Sequence, residues 1–199
     1  MTQIKIFNRW DTSAIAVRDP GLKNYISLQP IVVPRTGGRN VKVRFHKSRN
    51  HVVERFINKI MVPGHRGKKH RLTSAYATGK AQNAYRIVEN TFLIIEKKLN
   101  KNPVEVFVQA VENAAPREEI STIEYGGARY PQAVDVAPQR RVDLVLRFFV
   151  QGSYAKSFNG KKKSEEYLAE EIIGAYNFDQ KSFAISKKLE LERQADSSR

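Results

Sequence analysis

Apolar residues return at helical intervals along most of this chain and at every second position in only one stretch, so the pattern predicts a mainly α protein with a single hairpin. Val52, Val53, Phe56, Ile57, Ile60 and Met61 make one helix face, with Arg55 and Lys59 opposite, and Pro63-Gly64 ends the element. A basic loop from Gly64 to Arg71 leads to a second helix from about Gly79 to Lys98, carrying Ile87, Val88, Phe92, Ile94 and Ile95. Asn102-Pro103-Val104-Glu105 is a start signal: Asn caps, Pro takes the first helical position and Glu lies in the first turn. That third helix packs Val104, Phe107, Val108 and Val111 and stops before Pro116.

From Arg117 to Pro138 the period falls to two. Ile120, Thr122, Val134 and Val136 flank the turn Tyr125-Gly126-Gly127-Ala128-Arg129-Tyr130, where adjacent glycines supply the positive φ that a tight hairpin needs. Pro131 marks an exposed edge, and arms of about eight residues reach roughly 26 Å. Such a ribbon is marginal alone and needs support from the domain or a partner. A fourth helix opens at Pro138 with Val142, Val145, Leu146, Phe149 and Val150, giving way to a loop after Gly152. Ser164-Glu165-Glu166 starts a fifth helix that ends about Gly174, and a sixth runs from Phe183 to Arg193 with Lys188 and Glu192 spaced for an i, i+4 pair. Residues 1–48 show no helical period. The architecture expected is one bundle of about six helices with a protruding hairpin at about 117–137 between the third and fourth helices. An extended, partly basic N-terminal arm over 1–49 precedes a helical core domain over 50–199.

Charge changes this picture from a fold to a function class. Of the formal +15, +11 falls between Arg35 and Arg71, where twelve Lys/Arg face the single acid Glu54. A stretch of that density repels itself unless a polyanion neutralises it, and solvated faces ordinarily mix signs. Arg35, Arg39, Lys42, Arg44, Lys47 and Arg49 recur every two to four residues in an irregular segment, a pattern suited to RNA. No recognition-helix, zinc-finger or basic-zipper signature points to DNA instead. The longest apolar runs fall short of a bilayer span, and no signal peptide opens the chain. With no cysteine, disulfide and thiolate chemistry are excluded, and a cytoplasmic protein is expected.

Catalytic readings are weaker. The histidines pair as His46/His51 and His65/His70, but only Glu54 lies near them, so phosphate-facing groups are a simpler reading than a metal cluster. Gly64 to Lys69 and Gly79-Lys80 lack the Walker pattern, and no serine sits in a nucleophile elbow. The pairs Glu118-Glu119, Glu165-Glu166 and Glu170-Glu171 read as capping acids and solvated faces. Neither an enzyme nor a cofactor or metal site is expected. At the hairpin tip Tyr125 and Tyr130, beside Arg129, either stack on unpaired bases or form a cross-strand pair that fixes register. Arg140, Arg141 and Arg147 divide in the same way between phosphate contact and a solvated face.

The succession from Leu28 to Arg39, the run Val53-Glu54-Arg55-Phe56-Ile57-Asn58-Lys59-Ile60-Met61, the hairpin from Tyr125 to Val136 with Arg140-Arg141 beyond it, and the tail from Lys187 to Arg193 resemble the universal small-subunit ribosomal protein seven family in its archaeal and eukaryotic long form. The resemblance implies a structural ribosomal protein, a ribonucleoprotein component acting in translation and ribosome assembly. It would bind the 3′ major domain of 16S-type rRNA and nucleate the subunit head, in the cytoplasm and without forming a homo-oligomer. In that family the arm, the first and fourth helices and the hairpin base face rRNA. That maps Arg35, Arg39, Lys42, Arg44, Lys47, Arg49, Arg55 and Lys59 to the arm and first helix, and Arg140 and Arg141 to the fourth. The basic insert of the long form adds Arg66, Lys68, Lys69 and Arg71. The tip residues Tyr125, Gly126, Gly127, Arg129 and Tyr130 would lie near exit-site tRNA, mRNA and a neighbouring platform protein, with other head proteins close by. The alternative is a basic nucleic-acid-binding regulator or chromosomal protein acting outside the ribosome.

Overall fold

The computed structural model describes residues 4–67 and 69–199. Six helices form in the order the apolar periods dictate: α1 (Val52–Ile60), α2 (Ala81–Leu99), α3 (Pro103–Ala114), α4 (Pro138–Ser157), α5 (Ser164–Tyr176) and α6 (Phe183–Asp196). A short antiparallel pair, β1 (His65–Arg66) and β2 (Lys69–His70), lies in the basic loop between α1 and α2. The long hairpin, β3 (Glu118–Tyr125) and β4 (Ala128–Asp135), separates α3 from α4. Its two-residue turn puts Gly126 at φ 58° and Gly127 at φ 80°, the left-handed pair that only glycine takes without strain.

The aromatic side chains close the core. Phe107 on α3 meets Phe56 of α1 at 4.8 Å, Phe92 of α2 at 5.8 Å and Phe149 of α4 at 6.3 Å between centroids, so four helices converge on one ring cluster. Helix α5 packs against α2, α3 and α4, and α6 lies against α4 and the base of the long hairpin. Asn102 caps α3 as its sequence requires, its Oδ1 accepting from Val104 N at 3.0 Å.

Three elements depart from sequence expectation, each for a packing reason. Helix α4 does not stop at Gly152 but continues to Ser157. The glycine is there for close approach, since a Cβ on it would lie 2.6 Å from Phe183 Cβ of α6. Lys188 and Glu192 do not pair with each other. Lys188 donates to Asn113 O at 2.8 Å and Glu192 accepts from Arg117 N at 3.0 Å, so both fasten α6 to the hairpin base. Glu171, expected on a solvated face, is 1% exposed. It accepts from Ser182 Oγ at 2.7 Å, Ala184 N at 2.9 Å and Lys156 Nζ at 3.1 Å, thereby capping the start of α6.

The N-terminal segment lies against the bundle from its first described residues. Ile6, Phe7, Trp10, Leu22 and Ile26 are buried, with Phe7 and Trp10 edge-on to Phe92 at 6.2 and 5.8 Å. Glu112 on α3 accepts from Arg18 N at 2.6 Å and Asp19 N at 2.9 Å, holding this segment's backbone. Only beyond about residue 34 does the chain become a largely exposed, irregular strap.

Candidate nucleic-acid interface

The strap is pinned by neutral and acidic side chains, which leaves its cations facing outward. Glu54, the one acid of the basic tract, is 3% exposed and accepts from Thr36 N at 2.8 Å and Thr36 Oγ1 at 2.6 Å. Asn40 donates to Asn50, and Ser48 donates to Gln139 of α4 at 2.5 Å. Between these anchors Arg35, Arg39, Lys42, Arg44, Lys47 and Arg49 are all exposed. Of these six, only Lys47, itself mostly in solvent, has an acid within reach among the described residues, Asp143 at 3.4 Å. An exposed pair of that length contributes little.

His51 explains how the strap enters α1. Its Nδ1 accepts from Val53 N at 3.2 Å, so the imidazole does the work of an N-cap in place of Ser or Asp. Burial pushes its pKa down to about 4, and the accepting Nδ1 fixes the neutral tautomer with its proton on Nε2. The sequence reading of His51 as a phosphate-facing group is thereby corrected: it is an uncharged cap. His65 and His70 face each other across β1 and β2 with ring centroids 6.1 Å apart. His70 Nε2 also meets Ser74 Oγ at 3.0 Å.

Helices α1 and α4 carry a further cationic cluster. Arg55 and Lys59 lie four apart on α1, Asp143 and Arg147 four apart on α4, and Lys47 approaches from the strap. Arg55 is 6% exposed. Its Nη1 donates to Tyr25 O at 2.8 Å and its Nη2 to Asp143 Oδ1 at 3.1 Å, so this residue organises the surface from beneath instead of presenting a free guanidinium. Burial draws its pKa down while Asp143 opposes the shift. Lys59 is half-buried, and its pKa is lowered by burial first and by Arg147 next, with Asp143 opposing and Lys47 adding repulsion. Asp143 therefore pairs with two cations, Lys47 and Arg55, and offsets a third, Lys59, which Arg147 also crowds. The recess beside them is lined by Lys59, His65, Gly67, Arg147 and Gln151. It is shaped by β1, because Gln151 Nε2 donates to His65 O at 2.7 Å and Arg66 Nη2 to Gln151 O at 2.8 Å. Arg147 belongs to this cluster although nothing in the basic tract announces it. The sequence marks it as a candidate for phosphate contact on the fourth helix, and its neighbours on α1 emerge only from the packing of the two helices.

The remaining sequence candidates separate clearly. Lys69 and Arg71 are exposed, whereas Arg66 is partly buried and tied to α4. Lys68 lies outside the described residues. Arg140 is bound bidentately by Glu119 at 2.6 and 2.8 Å, and Arg141 joins Pro116 O at 3.1 Å to Asp19 at 2.9 Å. Both link the hairpin base or the N-terminal segment to α4, and phosphate contact by either would have to share or displace these acids. At the tip Tyr125 is 82% and Tyr130 59% exposed. Tyr125 sits opposite Ala128 and Tyr130 opposite Ile123, so the two tyrosines are diagonal neighbours on one face rather than a direct cross-strand pair. Glu124 and Arg129 pair at 3.3 Å on the other face.

Known proteins resemble this chain over nearly its whole length. Residues 22–199 match the model of the family described as ribosomal protein S7p/S5e. The small ribosomal subunit protein uS7 of Nanoarchaeum equitans is 54% identical over 197 residues, covering 99% of this chain and all of the relative. The protein of the same name from Methanothrix thermoacetophila is 46% identical over 196 residues, covering 98% of this chain and all of the relative.

Proposed function

The chain belongs to the ribosomal protein S7p/S5e family, whose members are structural and non-enzymatic, and from that premise we propose that it binds the 3′ major domain of small-subunit rRNA and nucleates assembly of the subunit head. The observation that carries this reading is the α1–α4 surface, where Lys47, Arg55, Lys59 and Arg147 gather around one carboxylate, Asp143, which pairs with only the first two, beside a strap of outward-facing Arg and Lys. Backbone phosphates supply the missing negative charge at regular spacing, and the irregular strap follows a groove that no regular element would fit. Partners are rRNA and adjoining head and platform proteins of the cytoplasmic ribosome. The hairpin tip faces the exit side of the mRNA and tRNA path.

The division of labour follows from charge. The first hairpin arm carries Glu118, Glu119 and Glu124, so its role is reach and protein or tRNA contact at the tip, while affinity for rRNA resides in the strap and the two helices. Hydroxyl-radical footprinting of the full chain on a transcript of the 3′ major domain tests this directly. Protection should cluster at one helical junction and fade when Lys59 and Arg147 are both changed to Gln. Protection spread evenly over the transcript would contradict the reading.

A further inference from the structure

Phe45 stands out on the strap because folding does not account for it. Its ring is 71% exposed, and its backbone holds φ 56° and ψ 25°, the left-handed region that a bulky side chain ordinarily avoids. It caps the 3₁₀ turn His46–Arg49, yet contributes no side-chain hydrogen bond there. That turn is fixed in place. Ser48 N donates to Phe45 O at 3.1 Å, Ser48 Oγ to Gln139 at 2.5 Å, and Lys47 reaches Asp143 at 3.4 Å. The strained residue thus projects from a turn that Ser48 ties to α4.

The surroundings say what such a ring would meet. The Arg44 guanidinium carbon lies 5.9 Å from the Phe45 centroid, and Lys42, Lys47 and Arg49 are exposed within a few residues. An apolar face set among cations fits a ligand that is flat and aromatic at one end and anionic at the other, which describes a nucleotide. Tyr76, Tyr125 and Tyr130 are also exposed, but each has a hydroxyl that water satisfies, whereas a phenyl ring has only its faces to offer. A base inside a duplex has no free face. We propose that Phe45 stacks on one unpaired nucleobase of the bound RNA, with Arg44 beside the ring holding the adjoining phosphate.

This inference rests on the rRNA-binding reading and adds to it a non-electrostatic contact. The test is filter binding of the full chain to a 3′ major domain transcript at graded salt, with Phe45→Leu, Phe45→Trp and Arg44→Ala. Loss of stacking in F45L should weaken binding roughly tenfold, within the range known for base–aromatic contacts, while leaving the log–log salt slope unchanged. F45W should bind at least as tightly as the parent, and R44A should make the slope shallower by about one phosphate. Parent-like affinity in F45L, or equal losses in F45L and F45W, would overturn the stacking while leaving rRNA binding intact. If F45L bound the transcript normally but entered assembled subunits poorly, the ring would be meeting a protein neighbour and the inference would fail. A parent chain that bound the transcript without salt dependence would instead overturn the rRNA reading itself.

Discussion

The strap with α1 and the bundle behind it use the same charged residue types in opposite ways. Residues 72–199 come close to charge balance, with 19 Lys/Arg against 17 Asp/Glu, and part of their cations pair with acids of the same chain: Arg140 with Glu119, Arg141 with Asp19, Lys156 with Glu171, Lys162 with Glu170 and Arg199 with Glu118. In residues 35–71 the described cations find only Asp143, and the sole internal acid, Glu54, is turned inward to hold Thr36. Buried polar atoms without a protein partner among the described residues, on Asn40, His51, Glu54, Arg55 and Arg66, also fall in that tract. One region is closed in the sense that its charges nearly balance, and the other is open, with an excess of +11. The contrast teaches that net charge is a poor guide to a binding surface unless the pairing of each charge is known.

The largest expected effect breaks the closed region. Glu171→Ala strips acceptors from Ser182 and Ala184 N inside the bundle and should cost about 4 kcal/mol of stability by denaturant titration. The fraction that remains folded should bind rRNA as before, because no strap cation is touched. A lost affinity with unchanged stability would erase the contrast.

Next in size is the His51 cap, where the two regions join. Its folded pKa lies near 4 against 6.5 unperturbed, so between those values the unfolded chain takes up a proton that the folded chain refuses. Stability from this residue is therefore full above pH 6.5 and falls as the pH drops toward 4, by about 3 kcal/mol in all. His51→Asn keeps a capping acceptor and should flatten that part of the pH profile. An identical acid slope in H51N would remove the imidazole from the explanation.

The smallest effect concerns the hairpin. Shortening it between Ile123 and Gln132 removes only exposed residues and the exposed Glu124–Arg129 pair, so stability should change by less than about 1 kcal/mol. Affinity for a bare 3′ major domain transcript should stay within about twofold, while exit-site tRNA or platform contacts are lost. A large loss of transcript affinity would move part of the rRNA surface onto the hairpin.

Much of this molecule is legible in its sequence where one local rule decides the outcome. The apolar period placed six helices in order, Asn102-Pro103 set the start of α3, and Gly126-Gly127 placed the hairpin turn, which the structure narrows from Tyr125–Tyr130 to the two glycines. Apart from His51, whose cap is local, the departures arise from contacts distant in sequence. Gly152 reads as a helix end and is a notch for Phe183; Glu171 reads as surface and caps α6; Arg55 reads as a phosphate ligand and is a buried strut to Tyr25 and Asp143. The open surface shows the same division. Arg35 to Arg49 declare themselves by density, whereas Arg147 joins the cluster only because α4 lies beside α1. Local propensity is written in neighbours along the chain, and the commitment of a charge is written in neighbours across it.

The open region is tested most directly by the salt dependence of transcript binding for the parent, for a variant with Arg35, Arg39, Arg44 and Arg49 changed to Ala, and for a variant losing four paired core cations, Arg140, Lys156, Lys162 and Arg199. The strap variant should give a log–log slope shallower by about 0.7 to 0.9 for each phosphate released, while the core variant stays within about one phosphate of the parent. Equal slopes for the parent and the strap variant, or an equal loss in both variants, would contradict the division between open and closed charge.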